Sequence, residues 1–321
     1  MTLSGAVDTV LDRSVVLGFS RIGLSVRSRL PGWPADPPPR ALSGRDVAVT
    51  GATSGLGVST ALGVAALGAR VHLVVRDESK ATSVVARITA ATPSAAVEVH
   101  RCDIGDLDDV RRFAEAFRAG GHELDVLVHN AGVMPPERTE SAQGHELSMA
   151  VHVLGPVLMT ELLRPTLRDS DGPRVLMITS GGMYSQPLRA DDPEYVQDDY
   201  SPTTAYARSK RAQVELLPLL QQRWGADGAR VWATHPGWAA TPGVAESLPR
   251  FNKLTAPILR DGDGGADTTV WLAAVEPAPP GGGLWHDRRR RPTSYLSRTR
   301  PRADDVDRMW SWVADQTGVT P

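Results

Sequence analysis

Five short runs rich in β-branched residues recur from Asp46 onward: Val47–Thr50, Val71–Val75, Val97–His100, Val126–His129 and Val175–Thr179, with helix-like stretches between them. The runs lack strict polar alternation and carry turn residues on both flanks. A strand without an alternating polar face is buried on both sides, as in a parallel sheet covered by crossover helices. Repeated β-α-β units take right-handed crossovers. The expected fold class is therefore α/β, a Rossmann-type doubly wound parallel sheet. Ligands collect beyond the carboxyl ends of the strands in such a sheet, so the residues after each run are the first candidates for function.

Directly after the first run come Thr50, Gly51, Ala52, Thr53, Ser54, Gly55, Leu56 and Gly57, leading into an apolar helical pattern at Val58, Ala61, Leu62 and Ala65. Glycines permit a tight turn and a close approach to a pyrophosphate. The free N–H groups and positive dipole end of the following helix then attract the anion. The second run ends Val74-Val75-Arg76, with valine where an NAD-binding sheet carries an acid for the ribose hydroxyls. A carboxylate there would repel a 2′-phosphate, whereas Arg76 can pair with one through two hydrogen bonds. The expected cofactor is NADP(H).

Ser180 follows the fifth run. Tyr206 and Lys210 stand four residues apart, on one face of a helix, ahead of a further run, Val231–His235, and Pro236-Gly237. Hydride delivery to a carbonyl leaves an oxyanion that must be protonated. A tyrosine can donate the proton, but its ordinary pKa near 10 suits neutral pH poorly. A nearby lysine cation favours the phenolate and lowers that value.

The T-G-x-x-x-G-x-G loop, the Asn130-Ala131-Gly132 turn, Ser180, Tyr206-x-x-x-Lys210 and Pro236-Gly237 occur in the order found in short-chain dehydrogenases/reductases, which the chain resembles from about Arg45 to Arg291. The strings SGGM, YARSKRAQ, HPGWAATPGV, GGADTTVWLA and GGGLWHDR are similar to the retinol-dehydrogenase-related branch of that family. The resemblance implies that Ser180 fixes the substrate oxygen, Tyr206 is the general acid/base, and Lys210 also holds the nicotinamide ribose. It further implies that Asp103, with Ile104 beside it, contacts the adenine amine and that Asn130, Ala131 and Gly132 flank the cofactor. By the same resemblance, Thr241 meets the nicotinamide carboxamide, and Pro236 and Gly237 bound the site. His152 stands where the family has an asparagine that helps hold a water linking the lysine to solvent. Two readings of it stay open: a part in that proton relay, or a helix histidine with a structural partner. The activity implied is hydride transfer between NADP(H) and a carbonyl or alcohol on an apolar small molecule, by a homo-oligomer. The other reading is a catalytically silent NADP-binding scaffold or sensor on the same fold, against which the intact Ser180, Tyr206 and Lys210 count.

The net charge of −2 offers nothing global to nucleic acid. Cys102 is the single cysteine, which excludes an intrachain disulfide and a cysteine-based zinc cage and fits a reducing cytoplasmic setting. No run of residues has the spacing of a ligand cluster, so no metal is expected. No basic leader precedes an apolar run at the start, which argues against a secretory peptide.

Residues 1–40 read as an amphipathic segment with a proline-rich connector (Pro31–Pro39), ahead of a cofactor-binding domain over 41–321. Leu11, Val15, Ile22 and Val26 recur at helical spacing among Arg13, Arg21, Arg27 and Arg29. Such a helix either packs on its own domain or a partner subunit, or lies on a membrane surface through residues 11–30. The acids Asp191, Asp192, Glu194, Asp198 and Asp199 read as the solvated face of an insertion. The seven arginines between His286 and Arg302 read as solvated surface, and Asp304–Thr317 as a closing helix.

Overall fold

The alternation of runs becomes an eight-stranded sheet in the computed structural model, which describes residues 3–320. Its strands are β1 (Asp46–Thr50), β2 (Arg70–Val75), β3 (Val97–Arg101), β4 (Val126–His129), β5 (Arg174–Ile178), β6 (Arg230–Thr234), β7 (Gly283–His286) and β8 (Arg289–Arg291), in the order β3-β2-β1-β4-β5-β6-β7-β8. All neighbours pair in parallel except β7 and β8, which form an antiparallel hairpin. Successive side chains of the central strands feed two cores. Ala48, Leu127 and Met177 point to one face, while Val47, Val49, Val128 and Leu176 point to the other. This is why their sequences lack a polar period.

The run pattern did not disclose β7 or β8. Gly-Leu-Trp-His has no β-branched residue and three arginines make a poor strand on propensity alone; pairing of β7 with β6, and of β8 with β7, supplies what propensity lacks. Asp287 and Arg288 turn the hairpin, both at positive φ (50° and 53°), the conformation a two-residue hairpin loop requires.

The N-terminal segment is not one helix but three, Leu3–Arg13, Val15–Phe19 and Arg21–Arg27. Ser14 caps the second by accepting from the Leu17 N–H, at 3.3 Å. The inner face is held by charge. Arg27 is buried between Asp8 (2.9 Å) and Asp287 (2.6 Å) and also donates to the Gly18 carbonyl. Arg260 bonds the other side of Asp287 at 2.5 Å. Arg291 reaches Asp8 at 2.9 Å, and Arg288 reaches Asp36 and Asp267 at 2.6 Å each. Arg288 and Arg291 of the basic tail are thus buried, Arg291 against Asp8 from the opposite end of the chain and Arg288 against Asp36 and Asp267, and not the solvated surface expected. The outer face leaves Val15, Val16, Leu17, Ile22 and Val26 exposed.

In the acidic insertion Asp191, Asp198 and Asp199 are exposed as expected, while Asp192 and Glu194 are drawn inward. Asp192 is buried, accepts from the Val196 N–H at 2.8 Å and pairs with Arg208; Arg208 also holds Asp198 at 2.8 Å. Glu194 accepts from His145 Nδ1 (2.8 Å) and the Glu146 N–H (2.7 Å). These acids bind the insertion to the helix Pro202–Glu215 and to the chain before Leu147, where no sequence period could show their partners. The helix Leu147–Arg168 is long and apolar enough to cross a membrane, but most of it lies inside the core. The closing helix runs Ala303–Thr317 and buries Met309, Trp310 and Val313.

Candidate active site

The site forms at the carboxyl ends of β1, β4 and β5. Thr50 ends β1, and its Oγ1 accepts from the N–H groups of Asn130 and Ala131 at 3.0 Å each, joining the ends of β1 and β4. Asn130 Nδ2 donates back to the Thr50 and Gly51 carbonyls at 2.9 and 3.2 Å. Gly51 has φ 63°, and a Cβ there would lie 2.8 Å from Ala131 Cα; a Cβ on Gly57 would lie 2.5 Å from Asn130 Nδ2. Larger residues would break this joint. The helix Gly55–Ala66 begins at the loop, and Ser54 makes no side-chain cap to its first N–H groups. Uncapped N–H groups at the mouth of a glycine loop are the donor set a pyrophosphate takes. Thr53 and Leu56 are half-buried on this loop, and Ser54 is exposed.

Arg76 leaves β2 with 71% of its side chain exposed, its Nη1 4.0 Å from the Asp103 carboxylate beyond β3. Asp103 Oδ1 accepts from the Gly105 N–H, and Ile104 is buried beside it. Arg76 and Asp103 thus stand together at one end of the glycine loop. Thr241 stands near it: a Cβ on Gly55 would lie 3.2 Å from the Thr241 side chain. Thr241 caps the helix Pro242–Ser247 through the Val244 N–H at 3.2 Å.

Ser180 sits at the end of β5 as the N-cap of the turn Gly181–Ser185, its Oγ accepting from the Gly182 N–H at 3.2 Å. Tyr206 and Lys210 share a face of Pro202–Glu215, as their spacing predicts. The lysine Nζ lies 5.6 Å from the tyrosine ring centroid and donates to the Ile178 carbonyl at 2.8 Å. Burial pushes the Tyr206 phenol above its ordinary value, opposed by a hydrogen bond with Ser180. Burial also pulls the Lys210 ammonium down to about 7. A hydroxyl and a phenol that hydrogen-bond to each other, with an amine 5.6 Å from the phenol ring, therefore gather at the end of β5, the set a proton-coupled carbonyl reaction needs.

His152 lies in a π-helical turn, Ala150–Leu154, within Leu147–Arg168. Its Nε2 accepts from the Val133 N–H (3.0 Å), which leaves Nδ1 as the protonated nitrogen, donating to Ser209 Oγ (2.8 Å); Ser209 in turn donates to the Tyr206 carbonyl (2.9 Å). The ring meets Tyr206 edge-on at 5.3 Å. Burial, with the Lys210 charge, holds it well below the ordinary histidine value and so neutral. Its carbonyl accepts from Gln213 Nε2 at 2.7 Å.

Sequence reading missed Phe19. Its ring lies under the Ser180–Gly181 turn, 2.8 Å from where a Gly181 Cβ would be, and packs edge-on against His235 at 4.3 Å. Its carbonyl accepts from the Trp238 N–H (2.7 Å) and Arg260 Nε (3.0 Å), and a Cβ on Gly237, at φ 76°, would lie 2.6 Å from it. The N-terminal segment is therefore built into the floor beside Ser180 and the Pro236-Gly237 turn. No local signal joins positions so distant in the chain.

The profile of the short chain dehydrogenase family matches residues 45–250. Dehydrogenase/reductase SDR family member 12 of Bos taurus is 38% identical over 261 residues, 80% of this chain and 81% of that protein. Retinol dehydrogenase 12 of Bos taurus is 33% identical over 282 residues, 87% of this chain and 88% of that protein. An uncharacterized protein from Mycobacterium paratuberculosis has a similar solved structure, with TM-score 0.68 and 30% identity over 88% of this chain and 96% of that one.

Proposed function

Because the chain belongs to the short-chain dehydrogenase/reductase family, we propose that it is an NADP(H)-dependent oxidoreductase acting on a carbonyl or alcohol of an apolar small molecule, with Tyr206 as its general acid/base. The observation that carries this reading is the convergence of Ser180, Tyr206 and Lys210 beside an uncapped glycine loop. A bound nicotinamide would supply or accept the hydride. Ser180 holds the substrate oxygen, Tyr206 gives it a proton or takes one, and the Lys210 cation favours the phenolate. The loop Gly51–Gly57 receives the pyrophosphate. His152 acts by position: its two nitrogens tie the segment after Asn130-Ala131-Gly132 to the backbone under Tyr206, so a proton passing Lys210 does not need the ring. The test is NADPH oxidation against retinoid, steroid, fatty-aldehyde and quinone carbonyls, with Tyr206→Phe as control. NADPH binding without turnover on the whole panel would favour the silent scaffold.

The exposed Arg76 and the absent acid at Val75 support NADP over NAD. A charge-assisted pair to a 2′-phosphate predicts that Arg76→Ala loses about 10- to 100-fold of the NADPH-over-NADH preference in kcat/KM, with NADH kinetics little changed. An unchanged preference rejects the assignment.

The outward row Val15, Val16, Leu17, Ile22 and Val26, interspersed with exposed Arg21 and Arg29, supports a second property, peripheral contact with an anionic lipid surface. Co-sedimentation with phosphatidylserine vesicles is expected for the full chain and is expected to be lost in Val16→Glu/Ile22→Glu. Equal pelleting of the two proteins rejects it.

A further inference from the structure

On the far edge of the sheet from Ser180, three histidines and a glutamate gather from elements that share no sequence motif. His72 is on β2; Glu98 and His100 are on the same face of edge strand β3; His122 is in the connector after the helix Leu107–Ala119. Ligand atoms of His72, Glu98 and His122 all lie within 4.8 Å of one another. His100 joins them through a 3.0 Å contact between its Nε2 and His72 Nδ1. We propose that His72, Glu98 and His122, with His100 as the adjoining fourth ligand, bind a zinc-class divalent transition-metal ion.

The geometry suits such an ion. With metal–nitrogen bonds of about 2.0–2.1 Å, three imidazoles around a tetrahedral ion place their ring centroids roughly 5.2 Å apart. The His72–His100, His100–His122 and His72–His122 centroids are 5.2, 5.3 and 5.4 Å apart. Glu98 Oε2, 3.5 Å from His122 Nδ1, brings one negative charge to the mouth of the group. The outer support is also present. His72 Nε2 donates to the buried Asp46 carboxylate at 2.8 Å, which fixes the tautomer and leaves the Nδ1 lone pair facing the cluster. A carboxylate behind a ligating histidine orients the ring and raises its basicity. Arg70 holds the same carboxylate at 3.2 Å. Phe113 and Phe117 pack against the rings and form the apolar wall of the site.

Entry is open, because Glu98 is 40% and His122 25% exposed at the side chain. An ion here would clamp β3, whose other edge pairs with no strand among the described residues, to β2 and to the connector. These two strands lead to Arg76 and Asp103, so the clamp would steady the end of the site proposed for the 2′-phosphate and adenine.

The test uses the full chain, free of any histidine tag, stripped with chelator and desalted. Cobalt(II) titration is expected to give the visible ligand-field bands of a tetrahedral centre at one equivalent, bleached by zinc. Saturating zinc is expected to raise the unfolding midpoint by about 5 °C. His122→Ala and Glu98→Gln change half-exposed side chains remote from Ser180. They are expected to keep the circular dichroism and NADPH affinity of the metal-free wild type, to weaken cobalt binding at least tenfold and to lose the thermal shift. Absence of the bands in the wild type, or equal cobalt affinity in His122→Ala, overturns the proposal.

Discussion

Tyr206→Phe is expected to lower kcat by about 10²- to 10⁴-fold, the range of a positioned general acid, with NADPH affinity within a factor of about two of wild type. The substitution removes one hydroxyl from a ring fixed on its helix, so the glycine loop and Arg76 are untouched. Near-normal turnover would refute the assigned role. The pH dependence gives a second readout. Reduction consumes the phenol proton and oxidation consumes the phenolate. Burial raises Tyr206 and brings Lys210 down to about 7, and the lysine Nζ lies 5.6 Å from the tyrosine ring centroid. Reductive kcat/KM should therefore fall as pH rises from neutral to alkaline, while oxidative kcat/KM rises. In Tyr206→Phe both slopes should flatten. Initial rates in both directions across that range would check this.

Asp287→Ala is expected to be the most destabilising of the single changes considered, by about 3–5 kcal/mol, because it leaves the buried Arg260 guanidinium without its carboxylate and Arg27 with Asp8 alone. Arg27 and Arg260 both lie against Asp287, at 2.6 and 2.5 Å, and the three side chains are almost entirely enclosed. Their charges, with His286, hold the Asp287 carboxyl well below its ordinary range although burial opposes this. The expected loss in unfolding midpoint is about 10 °C, and protease should first cut the freed N-terminal segment. A midpoint within about 2 °C of wild type would show that the cluster adds nothing. Acid should weaken the same protein. His286 and His100 are held at about 4 in the folded chain, burial being the leading cause for each, against about 6.5 when unfolded. Between those values the unfolded chain binds more protons, so stability falls as pH drops from about 6.5 toward 4. Denaturation midpoints measured along that interval should decline steadily.

The contrast between these two predictions shows how legible the chain was. Tyr206 and Lys210 are four residues apart on one helix, Thr50–Gly57 is a continuous loop, and β1, β2, β4, β5 and β6 are each a contiguous, mostly apolar run. Their structure follows from neighbours in sequence, because backbone geometry alone brings them to one face or one turn. Ser180 was readable because it ends such a run. The segment Leu3–Arg27 was legible only as an amphipathic pattern that fitted either a protein or a lipid partner. Asp8, Arg27, Arg291 and Asp287 decided what its inner face meets, and charge pairing has no period along the chain.

The sequence by itself determined the parallel sheet, the glycine loop and the residues offered to cofactor and substrate. Burial on two faces and the turn chemistry of glycine leave a continuous trace in composition. Tertiary structure alone decided the rest. It placed Phe19 beneath Ser180, gave β7 and β8 their pairing, buried Asp192 and Arg291, and assembled His72, Glu98, His100 and His122 at one edge. Each of these depends on groups that meet across long loops, where the free energy comes from desolvation and charge geometry and not from any local preference of the chain.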